Sequence, residues 1–294
     1  MTNTLAPSTI HFAVPKGRMF SGIERLLADA GLPLRTTARD YRPSLPLEGF
    51  ETKILKPRAI VEMLDAGTRD VGFAGADWVA DTGVELVELL DTRLDRVRLV
   101  AAAPEASLDG DKLRPDPSRE LVVASEYANL TSAWIETLGV PARLLRSYGA
   151  TEVLPPEDAD CIVDNTATGS TLRANGLRIF HELMTSSTRL YASRAAMDDP
   201  SKRARLEELA MLVRSVLDAR ERVLLEVNCG EPELAAVVDA LPCMRRPTVA
   251  RLHDDAGYSV RAAVRRADLP AVIPAVKAAG GSDILVSSPG QIVR

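Results

Sequence analysis

A chain of 294 residues, 46% hydrophobic and 26% charged, is long enough for two or three packed domains with an ordinary soluble surface. Its net charge of −5 (36 basic against 41 acidic residues) excludes a global basic field for nucleic acid, so any polyanionic ligand must be met by cations gathered locally. No apolar run is long enough to span a membrane, Met1–Ser8 has no signal-peptide pattern, and the 3 cysteines and 3 histidines lack metal-ligand spacing, which together read as a reduced, cytoplasmic protein without a membrane role.

Ile10–Val14 reads as a strand, and Pro15-Lys16-Gly17-Arg18 follows it directly. A helix over Ile23–Ala30, capped by Ser21 or Gly22, stops at Gly31. Lys16 and Arg18 flank a glycine at the end of a strand, where they can meet an anion; the plainer reading is a surface turn with two solvated charges. Arg39-Asp40-Tyr41-Arg42-Pro43 precedes a strand at Phe50–Leu55, and Lys56-Pro57-Arg58 leads into a helix over Ala59–Ala66. Asp70–Ala74 is a strand, carried by Gly72-Phe73-Ala74-Gly75-Ala76-Asp77-Trp78 into a helix. Asp77 there reads as a helix cap, and Trp78 as core packing rather than a platform for a base.

Val84–Leu90 is apolar, Arg96–Ala103 reads as a strand, and the Pro-rich segment Pro104–Ser118 as a loop near a domain crossover. A second βα pattern follows: a strand at Glu120–Ala124, then Glu126-Tyr127-Ala128-Asn129-Leu130 into a helix over Thr131–Leu138, then a strand at Ala142–Leu145.

Asp160–Leu177 is the most informative stretch. Cys161-Ile162-Val163 is a short buried strand, and Asp164 closes it. Thr166, Thr168, Ser170 and Thr171 then surround Gly169, which allows close backbone approach and an anion-binding nest of N–H groups. Ligands of open α/β sheets bind at such carboxyl ends of strands. No GxxxxGK[ST] pattern occurs, so this is a candidate phosphate cradle of another kind; a Thr-rich turn is the plainer reading. Arg178–Glu182 and Thr188–Ala192 read as strands, and Ser201–Glu221 as a long helix with apolar residues at helical spacing.

Alternating strands and helices predict parallel sheets in two α/β lobes, with crossings near Arg93–Arg96 and Met184–Arg194 and a ligand cleft between the lobes. The expected division is lobe I at 1–95 with 185–221, lobe II at 96–184, and a separate domain at 222–294. That last segment has the order βαββαβ, the ferredoxin-like arrangement, with a helix at Leu269–Ala279 broken or bent near Pro274.

Several of these segments resemble the ATP phosphoribosyltransferase family in its long form. They are Val14-Pro15-Lys16-Gly17-Arg18, the Asp164–Leu172 cradle with Asn175-Gly176-Leu177, and Leu241-Pro242-Cys243-Met244-Arg245-Arg246-Pro247-Thr248-Val249. The resemblance covers residues 10–294. It implies a two-lobed catalytic part like that of periplasmic binding proteins, followed by a ferredoxin-like regulatory domain. It also implies transfer of the phosphoribosyl group of phosphoribosyl diphosphate to N1 of ATP, the first step of histidine biosynthesis, with Mg²⁺ as cofactor and a homo-oligomer, dimer or hexamer, as the working state. Lys56 and Ala59 stand where the family has Arg and Asp, Ala128 where it has Pro, and Asn165-Thr166-Ala167 where it has apolar residues.

On this resemblance Lys16, Arg18 and Asp164 are the catalytic candidates. Asp164, Thr166, Ala167, Thr168, Gly169, Ser170 and Thr171 would bind phosphoribosyl diphosphate. Arg42, Lys56, Gly75 and Asp77 would belong to the ATP side. Asn228, Met244 and Thr248 would hold histidine as a feedback inhibitor. No metal ligands are assigned. The alternative from another class is a non-catalytic two-lobed solute-binding or sensor protein.

Overall fold

The computed structural model describes residues 9–35, 41–244 and 246–293; Arg39, Asp40 and Arg245 of the motifs above lie outside them. The chain forms two compact units, Met1–Ala28 with Leu32–Ala210, and Asp29–Gly31 with Met211–Arg294.

The first unit is built on one eight-stranded sheet. Its first half alternates strand and helix: β1 (Ile10–Pro15), α1 (Arg18–Asp29), β2 (Phe50–Leu55), α2 (Pro57–Asp65), β3 (Val71–Gly75) and α3 (Ala76–Thr82). Then comes β4 (Val87–Pro104), followed by the small hairpin β5 (Leu108–Asp109) and β6 (Lys112–Leu113). The second half is β7 (Leu121–Ser125), α4 (Ala128–Glu136), β8 (Ala142–Arg146), β9 (Cys161–Thr166) and α5 (Ser170–Ala174). The return strand β10 (Leu177–Ala192) leads to the short α6 (Arg194–Asp198) and to α7 (Pro200–Arg220), which carries the chain into the second unit.

The sheet order is β2-β1-β3-β10-β4-β9-β7-β8. Each end is parallel, β2-β1-β3 on one side and β9-β7-β8 on the other. The sheet is nevertheless mixed, not wholly parallel as the alternation predicts. β10 and β4 are antiparallel to each other and to the halves they border. These two strands are the longest of the sheet, 18 residues for β4 and 16 for β10, and they cross between its two parallel halves. The crossings are irregular, with positive φ at Arg93 and Asp95 and register shifts around Ser186–Arg189. Bulges of this kind let a strand bend while keeping most of its ladder.

The two strands read at Arg178–Glu182 and Thr188–Ala192 are therefore one, β10. Its middle, Met184 to Ser187, has too little apolar periodicity to read as strand from sequence, yet it stays paired to β4 at Met184, Thr185 and Ser186. Strand pleating gives lobe II two apolar layers. Leu99, Ala101, Val123, Cys161 and Val163 pack on one face, and Val100, Ala102, Ala124 and Ile162 on the other.

The second unit contains β11 (Arg222–Cys229), α8 (Leu234–Asp239), β12 (Thr248–Arg251), β13 (Tyr258–Arg265), α9 (Leu269–Ala278) and β14 (Ser282–Ser287). The sheet order β12-β13-β11-β14, antiparallel throughout, is the ferredoxin-like topology expected. Val223, Leu225 and Val227 of β11 alternate inward against Val237 of α8 and Val272 and Val276 of α9. The helix α9 runs on through Pro274 without a break.

Gly72 in β3 faces α2 across a gap that admits no side chain. A Cβ there would lie 2.7 Å from Ile60 Cγ2 and 3.0 Å from Ala13 Cβ. Ile60 is branched and fully buried, so it cannot swing away. Gly72→Ala should therefore destabilise the protein by about 1–3 kcal/mol, the usual cost of overpacking. Urea denaturation reads the loss; an unchanged midpoint would mean that α2 shifts freely on the sheet.

Candidate active site

The strand ends of lobe I and the middle of β10 meet at one pocket of about 180 Å³. It is lined by Lys16, Arg18, Met19, Pro57, Gly75, Asp77 and Trp78 from the first half of the unit and by Asp95, Val97, Tyr127, Asn165, Ser186, Ser187 and Thr188 from later in the chain. Lys16 and Arg18 are exposed on the turn that leaves β1, held open by Gly17 at φ 80°. Of the residues expected on the nucleotide side, Gly75 and Asp77 are in this lining. Lys56 is the exposed residue that starts α2, and its neighbour Pro57 lines the pocket instead. Arg42 is exposed and outside this lining; it lies in electrostatic reach of Lys53, whose ammonium is held below its ordinary range first by Arg69 and then by Arg42.

Asp77 is not a helix cap. It sits in the first turn of α3, the position before the helix belongs to Gly75, and no side chain caps the end. Its carboxylate is 5% exposed and bonded on both oxygens: Ser186 Oγ donates to Oδ1 at 2.8 Å and Tyr127 Oη to Oδ2 at 2.6 Å. The Asp77 N–H donates in turn to Ser186 Oγ at 3.0 Å. A side chain at Gly75 would collide with Asp77 Oδ1, so that glycine makes room for the carboxylate. Burial, and then the Asp77 charge, hold the Tyr127 hydroxyl proton on well above the ordinary tyrosine range. Trp78 stacks on the Tyr127 ring at 4.4 Å between centroids, so it packs the core with one face and walls the pocket as well.

A second buried carboxylate, Asp81, accepts the Asn129 and Leu130 N–H groups at 3.0 and 3.1 Å and so ties α3 to the start of α4. Asp160, which opens the cradle, is occupied by Arg119 and by the Val122 N–H at 2.8 Å; it fixes the start of β9.

The cradle itself is formed. Gly169 has φ 74° and starts α5. Its N–H donates to Thr166 Oγ1 at 2.9 Å, which closes the turn from inside. Thr168 and Ser170 share a hydroxyl contact of 2.9 Å on the exposed side, and Arg173 Nη1 donates to the Thr168 carbonyl at 3.1 Å. Thr171 is exposed, while Gly169 and Thr166 are buried. Ala167 lines a neighbouring pocket of about 420 Å³ with Arg96, Arg98 and Arg189. The two pockets share Val97, Ser186 and Ser187.

Asp164 and Asn165 diverge because strand side chains alternate. Asn165 shares its face with Cys161 and Val163 and lines the smaller pocket; Asp164 follows the Ile162 face and does not. Burial pushes the Asp164 carboxyl up to about 7, opposed by the Asn165 N–H at 2.7 Å and reinforced by Glu152 and Glu126. Burial likewise pushes the Cys161 thiol up to about 12, which makes it an inert core thiol.

Sequence reasoning missed Tyr127, Asp95 and the run Ser186-Ser187-Thr188. The run was a usable signal, since three hydroxyls in succession inside a buried strand require partners. The reach of Tyr127 to Asp77, 50 residues away, had no local signal.

The Asp164 carboxyl carries a linkage. Its folded pKa is raised from 3.8 to about 7, so the cost of ionising it grows between those values and is complete above pH 7. Asp164→Asn keeps an oxygen for the Asn165 N–H and removes the charge. The variant should match the parent in thermal stability near pH 4 and exceed it at pH 8. A variant equally stable with the parent at both pH values would show that Asp164 is solvated rather than buried.

Residues 56–215 match the family model described as ATP phosphoribosyltransferase, and residues 219–288 that of the HisG C-terminal domain. An ATP phosphoribosyltransferase of Chlorobium phaeovibrioides is 33% identical over 94% of both chains. One of Solibacter usitatus is 33% identical over 97% of this chain and 99% of its own. The fold resembles a chain of the HisG:HisZ ATP phosphoribosyl transferase complex from Thermotoga maritima, with a TM-score of 0.62 and 23% identity over 71% of this chain and 99% of that one. The chain therefore belongs to the ATP phosphoribosyltransferase family, enzymes that open histidine biosynthesis by moving the phosphoribosyl group of phosphoribosyl diphosphate onto N1 of ATP, and that transfer is its activity.

Proposed function

We propose that the smaller pocket takes the purine base of ATP and that the Asp164–Thr171 turn takes phosphoribosyl diphosphate, with Gly169 at the 5'-phosphate. The observation that carries this is that Lys16, Arg18, Gly75 and Asp77 line one pocket together with Asn165, the residue that follows Asp164 and leads into the cradle. In the reaction the N1 lone pair forms the bond to C1', and the C1'–O pair leaves with diphosphate. Adenine N1 has no proton to lose, so no general base is required. Catalysis then rests on in-line positioning and on charge stabilisation of the leaving group. Lys16 and Arg18 serve the growing negative charge, Asp164 orients the ribose hydroxyls, and Thr166, Ala167, Thr168, Ser170 and Thr171 complete the phosphate turn. Arg42 and Lys56 belong to the outer approach of the nucleotide.

Mg²⁺ fits this donor set as an ion carried mainly by the substrates. Among the described residues no three His, Cys, Asp or Glu side chains converge, and Mg²⁺ typically takes one or two carboxylates plus phosphate oxygens. Asp164, whose surroundings of Glu152 and Glu126 favour a cation, is the carboxylate that would hold it. When bound, the ion would neutralise charge on the departing diphosphate. A biosynthetic enzyme of this kind draws on the cytoplasmic ATP pool, and we place it there.

The division into lobes at 1–95 with 185–221 and 96–184 is part of the same proposal, as is histidine regulation through 222–294. Asn228 and Thr248 lie on one face of the second sheet: Thr248 pairs with Arg261, Arg261 with Glu226, and Asn228 is two residues beyond Glu226. Met244 is 36% exposed, and its N–H donates to the Ala263 carbonyl on the same sheet. Leu285, Val286 and Val249 are exposed on the outer strands, which favours a homo-oligomer that covers them.

Gly169→Val should abolish phosphoribosyl diphosphate binding and keep ATP binding. The Cβ would lie 3.0 Å from Arg173 Nη1 and 3.3 Å from Ile179 Cδ1, in a backbone conformation that valine resists. Calorimetry on the folded variant decides it; unchanged affinity moves the phosphate elsewhere.

Thr248→Ala should shift the histidine inhibition curve to higher concentration by roughly fivefold or more, the lower end of ordinary allosteric coupling. An unshifted curve, with no histidine bound by the parent protein, would reduce the second unit to an assembly module.

A further inference from the structure

Asn165 has one side of its amide committed and the other open. Tyr127 has a single hydroxyl proton and donates it to Asp77 Oδ2 at 2.6 Å. A carboxylate only accepts, so it returns no proton to Tyr127. The Tyr127 oxygen is left as an acceptor, and Asn165 Nδ2 donates to it at 2.8 Å. Ser186 Oγ holds the other Asp77 oxygen at 2.8 Å, so the carboxylate cannot turn away. The donors therefore run in one direction, from Asn165 to Tyr127 to Asp77. A flipped amide would set Asn165 Oδ1 against the Tyr127 oxygen, with two acceptors facing each other.

The direction of this chain turns Asn165 Oδ1 away from Tyr127. It has no hydrogen-bond partner among the described residues and is not among their buried unsatisfied atoms. Asn165 is half-buried and lines the smaller pocket. Trp78, Met19 and Val97 give that pocket apolar and aromatic walls. At about 180 Å³ it lies below the usual range for a drug-sized ligand, and it suits a single ring system better than a whole nucleotide.

We infer that Asn165 is a specificity-determining residue for the base: its Oδ1 accepts the 6-amino group of adenine, and Tyr127 and Asp77 are positioning residues that hold the amide in that orientation. The inference rests on the reading that this pocket takes the base of ATP. It agrees with the chemistry there, since an acceptor on the 6-amino group leaves the adjacent N1 lone pair free to attack. A 6-oxo purine would bring a second acceptor to the same point, and the buried chain behind Asn165 blocks the flip that would accommodate it. Sites built to hydrogen-bond a substrate group discriminate against analogues that lack it.

The probe is purine ribonucleoside triphosphate, which keeps N1 and lacks the 6-amino group. Calorimetry with Mg²⁺ present gives the ratio of its dissociation constant to that of ATP. The parent enzyme should favour ATP by roughly three- to tenfold, the worth of one net hydrogen bond. Asn165→Leu should bring the ratio close to one by weakening ATP alone, and Tyr127→Phe should lower it by freeing the amide. A purely structural role would weaken both nucleotides equally, and an unchanged ratio in a folded Asn165→Leu protein overturns the inference. Trp78→Ala separates the two layers. If it weakens ATP binding while Asn165→Leu leaves the ratio unchanged, the pocket reading stands and the Asn165 inference fails. If it leaves ATP affinity untouched, the base lies elsewhere and both fail.

Discussion

The catalytic unit is held in register by a carboxylate it cannot leave unpaired. Asp77 is 5% exposed, and an uncompensated charge at that depth is costly. Its partners come from distant parts of the chain, Tyr127 from the start of α4 and Ser186 from the middle of β10. Breaking either contact would leave one oxygen of a buried carboxylate without its donor, which costs more than losing an ordinary exposed hydrogen bond. The pair therefore fixes where α3, α4 and β10 meet. Asp81 repeats the device one turn along α3, through the Asn129 and Leu130 N–H groups. The pocket exists where it does because these buried acids leave few other arrangements for its walls.

The pleat of β9 then divides the labour of the site. Neighbouring residues on a strand point to opposite faces, so Asp164 and Asn165 cannot serve the same cavity. Asn165 lines the smaller pocket, and Asp164 does not. The strand end therefore presents one polar group to each face of the sheet. It also carries a cost, visible in the Asp164 carboxyl, which burial lifts to about 7. Glu152 and Glu126 add to that rise, and the Asn165 N–H opposes it. Such raised carboxyls are common where chemistry sets the environment.

Much of this was legible in the sequence. The strand–turn–helix units at Gly75 and Gly169 stand where local pattern puts them, because glycine and apolar runs act at short range, whereas α1 starts at Arg18, ahead of the cap expected at Ser21 or Gly22. The ferredoxin-like order of the second unit follows from its alternation, and α9 keeps its course through Pro274 with Val272 and Val276 packed in the core on either side. The long strands were not legible. β10 looks like two strands because its centre is polar, and that polarity is the site. Asp77 looked like a cap, since the local rule is satisfied by any acid in a first turn. Only its contacts 50 and 109 residues away reveal a buried node. Arg42 and Lys56 rest on resemblance alone and lie outside the lining of the smaller pocket, which Pro57, Asp95 and Tyr127 join.

The same logic explains how a chain of net charge −5 serves two polyanionic substrates. The acids nearest the pocket, Asp77 and Asp95, are held by hydroxyl donors: Ser186 and Tyr127 for the first, Thr188 at 2.9 Å for the second. Asp81 takes backbone N–H groups, with Arg58 only at 4.0 Å. Neutral donors satisfy a carboxylate without consuming a cation. Lys16 and Arg18 are thereby left on an exposed turn, in no ion pair with these acids. At the cradle the donors are likewise neutral: the Gly169 N–H is taken by Thr166 Oγ1 inside the turn, and the Thr168, Ser170 and Thr171 hydroxyls are left on its exposed side. Local donor chemistry, rather than overall charge, sets the sign of the field that a substrate meets.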